Sequence, residues 1–185
     1  MSDIYLSSQS SLLVIDIQER LLSAMPEEEM NLCIHATRTL IELAGEVGAP
    51  IVYTEQYPKG LGPTEASILE TLQDHDAQRV PKMSFDACAA PAFHQHLIDL
   101  PRRIVVCGME AHICVLATVR ELINRRHDII VPFDAVISRK PQNRDNGLRM
   151  MEKEGATVAN YETIVFDALR TAEHKAFKKF SKLIR

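Results

Sequence analysis

Arg103-Ile-Val-Val-Cys107-Gly108-Met-Glu-Ala-His-Ile-Cys114-Val-Leu-Ala-Thr118 passes from a β-branched apolar run, through a glycine, into a helical pattern. The run before Gly108 is too short for a helix and shows no alternation, which predicts a strand buried on both faces of a parallel sheet. Beyond it, Val115, Leu116, Val119, Leu122 and Ile123 recur every three or four residues up to Asn124, the apolar stripe of a helix. Three other runs read as strands for the same reason: Ser11–Ile15, Pro50–Thr54 and Asp128–Pro132. Ala77–Pro81 and Ala156–Asn160 are weaker candidates. Between these runs, Leu32, Ala36, Leu40, Leu43, Ala44 and Val47 mark a further helix. Asn143 is placed to cap another that Gly155 stops after Glu154. Strands alternating with helices predict an α/β fold with helices layered on a parallel sheet.

The chain has 185 residues, 46% hydrophobic and 25% charged, enough for a sizeable core in a single domain spanning residues 1–185. Twenty-one basic against 25 acidic side chains give a net charge of −4, and aromatics are only 5%. That balance argues against a nucleic-acid partner. No apolar stretch approaches the length of a membrane span. The opening MSDIYLSSQS has neither the basic flank nor the apolar run of a secretory signal. Four cysteines then read as reduced thiols of a cytoplasmic protein. Lys175, Lys178, Lys179, Lys182 and Arg185 form a basic end, expected to be solvated and to complement a helix dipole.

Several ligand motifs fail on inspection. Gly60-Leu-Gly62 lacks the third glycine of a dinucleotide fingerprint, and no phosphate-binding loop ends in Gly-Lys-Ser/Thr. No two cysteines have the spacing of a structural zinc site. His94 and His96 lie two apart, on opposing faces if helical. No cofactor and no metal are expected.

Reactive chemistry is better placed elsewhere. Cys33 falls within the first helix, Cys107 in a strand and Cys88 among small residues, whereas Cys114 follows a strand–glycine turn at a helix start. Unpaired N–H groups and the helix dipole there favour a thiolate and could hold an oxyanion. Asp16 ends the first strand and Lys82 follows the third. In a parallel sheet, groups at three strand ends converge on the carboxyl edge. The irregular Glu55–Thr64 stretch, with two Pro and two Gly, opens on that same edge.

Asp16-Ile-Gln18, Lys82-Met-Ser-Phe85 and Gly108-Met-Glu-Ala-His-Ile-Cys114-Val-Leu-Ala-Thr118 resemble, in order and spacing, the motifs of the isochorismatase-like cysteine hydrolases, which include nicotinamidases. Thr54–Pro58 and Gly60–Thr64 look closest to the isochorismatase-domain-containing branch. The resemblance runs from Leu12 to about Val165. It implies a three-layer α/β/α fold around a six-stranded, mainly parallel sheet of order 3-2-1-4-5-6. It also implies a catalytic triad of Asp16, Lys82 and Cys114, a cis peptide between Met109 and Glu110, and an oxyanion hole from the N–H groups of Glu110 and Cys114. Gln18, Tyr57, Phe85 and His112, with Leu61, are the candidate substrate contacts. His112 also suggests a Cys–His dyad, ranked below Asp16 because the family places its base there.

Two departures shape the expected activity. Where nicotinamidases carry an Asp-x-His metal pair, this chain reads Thr54-Glu-Gln-Tyr-Pro58, and the aromatic often found five residues after the catalytic Asp is Leu21. The resemblance therefore implies a metal-independent hydrolase that cleaves a C–N bond of a small molecule through a Cys114 thioester, as a homo-oligomer. One rival is a vinyl-ether hydrolase with Asp16 as acid and Cys114 as bystander. Another is a binding or scaffold protein, against which three placed ionisable groups argue.

Overall fold

The structure, a computed structural model, describes residues 5–184; Arg185 of the basic end lies outside them. In chain order the elements are β1 (Ser10–Ile15), α1 (Glu19–Leu22), α2 (Glu27–Val47), β2 (Ile51–Gln56), α3 (Pro58–Leu61), α4 (Ala66–Asp74) and β3 (Gln78–Lys82). Then follow α5 (Pro91–Asp99), β4 (Arg103–Met109), α6 (Leu116–Asn124), β5 (Asp128–Pro132), β6 (Val136–Ile137), α7 (Pro141–Glu154), β7 (Thr157–Ala159), α8 (Tyr161–Leu169) and α9 (Phe177–Leu183).

Alternation along each strand explains the layering. Leu12 and Val14 join one core with α2, α4 and α8, while Leu13 and Ile15 join a second core with α5, α6 and α7. Val105 and Cys107 against Ile104 and Val106 repeat the split in β4. Apolar side chains on both faces are what a parallel sheet covered by helices requires.

All strand pairings are parallel, in the order β3-β2-β1-β4-β5-β7. The expected six-strand order holds along this path, with β7 in the last place. A seventh strand, β6, is added: its two residues pair with Gly108 and Met109 at the end of β4. Successive strands are added outward in one direction from β1 and in the other from β4, which makes the β1–β4 boundary the switch point where open α/β sheets bind ligands.

Local details differ from the sequence reading in two places. Leu32 is exposed, and the α2 stripe turns inward from Cys33. α7 opens at Pro141 rather than after Asn143, because proline at the first helical position gives up an N–H that would be unpaired anyway. Gly155 does end α7, in the left-handed conformation. The described lysines of the basic end are exposed, as expected, and two of them also pair with α2, Lys175 with Glu46 at 3.1 Å and Lys179 with Glu42 at 2.6 Å. Among the described residues no helix is long and apolar enough to cross a membrane.

Candidate active site

β1 meets both neighbours at its last residue, where Ile15 is in register with Thr54 of β2 and Gly108 of β4. The next residue, Asp16, adopts a left-handed φ of 52° and buries its side chain completely. Its carboxylate accepts a hydrogen bond at each oxygen, from Thr54 Oγ1 at 2.6 Å and from Lys82 Nζ at 2.6 Å. Lys82 ends β3 in register with Gln56 and extends past the end of β2 to reach Asp16. On the way Nζ donates to Gln56 Oε1 at 2.8 Å and to the Ser84 carbonyl at 3.2 Å. Gln56 is itself oriented by donating to the Met83 carbonyl. A buried ion pair is tolerable only when its remaining hydrogen-bonding capacity is also met, as it is here.

Cys114 is brought to the pair by the end of β4. Gly108, at φ 125°, lies so close to β1 that a Cβ would sit 2.0 Å from the Ile15 carbonyl oxygen. Met109–Glu110 is a cis peptide. A π-type turn over Ala111–Val115 then leads into α6 and carries Cys114, which is 7% exposed. The charges of the Asp16 carboxylate and the Lys82 ammonium both act on the thiol. Its protonation overturns the expectation of a thiolate. Burial first, and then the Asp16 charge, push Cys114 up to about 12, against the opposing pull of Lys82. Burial also raises Cys33 to about 12, and Cys88 and Cys107 further still. Cys114 therefore rests as a thiol beside a carboxylate able to take its proton.

The other candidates fall into place unequally. Glu110 opens the turn, and its side chain is tied to Arg139. His112 has both ring nitrogens engaged, by Ser138 Oγ at 3.0 Å and Asn143 Nδ2 at 3.3 Å, which leaves none for a Cys–His dyad. Gln18 is fully buried. Its amide spans Gln56 and Gly62, accepting from Gln56 N at 2.7 Å and donating to the Gln56 and Gly62 carbonyls, so it holds the β2–α4 connection instead of facing a ligand. Tyr57 and Phe85 are exposed on the carboxyl-edge loops, and the Tyr57 ring folds over Gly60. An open cavity of about 470 Å³ adjoins these loops between Pro58, Met83, Ala90 and Pro91; Lys82 borders it, while Asp16 and Cys114 do not line it. Glu55, in the stretch compared with the metal-binding one, belongs to β2 and turns to Thr64 and Arg79. Thr54, Gln56, Ser138, Arg139 and Asn143 were not anticipated in these contacts. Thr54 and Gln56 alternate along β2, a signal readable only once the β2–β3 register is known.

The sheet thus carries a thiol, a carboxylate and an ammonium at its carboxyl edge, beside the switch point. Residues 10–163 match the isochorismatase domain, and the chain belongs to that family. It is 33% identical over 180 residues to the secreted isochorismatase effector Isc1 of Phytophthora sojae, covering 95% of this chain and 84% of that one. Isochorismatase domain-containing protein 2 of Xenopus laevis is 31% identical over 185 residues, covering 97% and 85%. Among solved structures, the MAR1 ribonuclease of Caenorhabditis elegans superposes with a TM-score of 0.89 at 32% identity, covering 98% of this chain and 92% of that one.

Proposed function

We propose that the protein is a metal-independent cysteine hydrolase acting on the C–N bond of a small amide. The observation that carries the reading is the grouping at the sheet edge: Lys82 Nζ lies 2.6 Å from Asp16, and the charges of both act on the Cys114 thiol. Asp16 takes the thiol proton as Sγ attacks the carbonyl carbon, and Lys82 balances the charge that appears on sulfur. The N–H groups of Glu110 and Cys114 stabilise the oxyanion. Collapse breaks the C–N bond, the amine leaves with the proton from Asp16, and a thioester remains. Asp16 then deprotonates water, which cleaves the thioester to release the acid and restore the thiol.

One observation favours a second reading. A thiol held protonated beside a carboxylate also suits a vinyl-ether hydrolase in which Asp16 alone moves the proton. The nematode relative is named a ribonuclease, so an RNA oligomer belongs in the same panel as small amides. The deciding experiment measures ammonia release from those amides with wild type and Cys114→Ser, with mass spectrometry for the acyl-thioester. Loss of turnover and of the adduct in Cys114→Ser supports the cysteine mechanism; retained turnover overturns it.

Exposed Tyr57, Met83 and Phe85 support self-association, which light scattering would report as a mass above that of one chain. The Phytophthora relative is by name secreted, so family membership sets no compartment. The four free, buried thiols support the cytoplasm.

A further inference from the structure

We propose that Arg139 is a positioning residue of the hydrolytic reaction, acting through the Glu110 side chain on the main-chain N–H that faces the developing oxyanion. The proposal rests on the cysteine-hydrolase reading above. The Glu110 carboxylate is only 7% exposed, while the Arg139 side chain that pairs with it is 57% exposed. Arg139 grips it twice over: its backbone N–H donates to Oε2 at 2.9 Å, and Nε donates to Oε1 and Oε2, both at 3.1 Å.

A buried carboxylate paired with an exposed guanidinium is a poor device for stability, since desolvation cancels much of the attraction. It is a good device for direction, because a carboxylate held from both oxygens keeps its own main chain from turning. Glu110 is the cap of the turn that carries Cys114, and its carbonyl accepts from Ile113 N at 2.9 Å. Arg139 follows β6, the added strand that pairs with Gly108 and Met109, so the grip closes over the same strand end.

Neighbouring contacts point the same way. Ser138 and Asn143 hold the His112 ring. Gly147 of α7 packs so close that a Cβ there would lie 2.9 Å from the Ala111 carbonyl oxygen. Every one of these groups comes from residues 138–147, the segment that follows β6. One segment thus fixes the turn as a body, and Arg139 fixes the peptide at its start.

Kinetics of Arg139→Ala on p-nitrophenyl acetate test this. The expected result is a fall in kcat of about 10- to 100-fold, with KM within about twofold of wild type. Alkylation of Cys114 by iodoacetamide, which attacks a saturated carbon and needs no oxyanion donor, should stay within about twofold. Guanidinium ion at millimolar concentration should restore part of kcat, and Arg139→Lys should retain more activity than Arg139→Ala. An unchanged kcat, or alkylation that falls in parallel with kcat, would overturn the assignment. Ester turnover that survives Cys114→Ala would instead remove the cysteine-hydrolase reading itself.

Discussion

Replacing Asp16 by Asn should separate two properties that usually move together in cysteine enzymes, thiolate formation and turnover. Cys114 rests near 12 because burial and the Asp16 charge outweigh Lys82. Removing that charge leaves Lys82, which in wild type binds Asp16 at 2.6 Å, with the sulfur as its nearest anionic partner. A unit charge about 4 Å away at an effective dielectric near 20 is worth about 4 kcal/mol, or roughly three pK units. Burial is unchanged and the substitution is imperfect, so a downward shift of about one to three units is expected. Thiolate at pH 8 should then increase by about 10- to 1000-fold, whereas turnover should fall by at least about a thousandfold because the group that takes the thiol proton is gone. Absorbance at 240 nm, titrated against a Cys114→Ser background, reads the thiolate directly, and iodoacetamide kinetics with peptide mapping assign it to Cys114. Lys82→Met should move the same titration upwards. The reasoning is refuted if wild-type Cys114 ionises below about pH 8, the ordinary range for a free thiol, or if Asp16→Asn raises its titration point.

Thr54→Val keeps volume but strips the 2.6 Å hydrogen bond from a buried carboxylate oxygen. Thermal unfolding should show a loss of about 1–3 kcal/mol, with slower turnover. Gly147→Ala would press a methyl against the Ala111 carbonyl and push α7 off the Cys114 turn. We expect a cost of about 1–3 kcal/mol in urea unfolding, together with reduced activity, and full activity would contradict the proposed support of the turn. Burial raises the Asp134 carboxyl above its ordinary value, so its charged form costs the folded state stability above that raised pKa, and the cost fades as pH falls through it. Asp134→Asn, which keeps an acceptor for the Tyr161 N–H now bonded at 2.9 Å, should therefore raise Tm at pH 8 and not near pH 4. Equal shifts at both pH values would count against this assignment.

What could be read in advance, and what could not, follows from the range of the interactions. β1, β2, β4 and β5 were legible because a strand covered on both faces leaves an unbroken apolar run, a signal contained within five or six residues. Asp16 stands out for a related reason, since it directly follows such a run; Lys82 ends the weaker β3 and Cys114 lies five residues beyond β4, so their place beside Asp16 rested on the family resemblance and on parallel strands bringing their ends to one edge. β6 was not, since two residues held by the end of β4 have no pattern of their own. Arg139 is harder still. It stands 29 residues from Glu110, looks like any exposed arginine, and acquires its partner only because β6 folds back beside β4. The charge on Cys114 lies furthest from the sequence. A helix start argues for a thiolate, but the outcome depends on burial and on a carboxylate and an ammonium competing for one sulfur. The sum of those opposing influences is set by burial and distance at the assembled edge. Residue types at strand ends therefore frame the proposed chemistry, whereas the protonation state with which it would start is a property of the assembled edge.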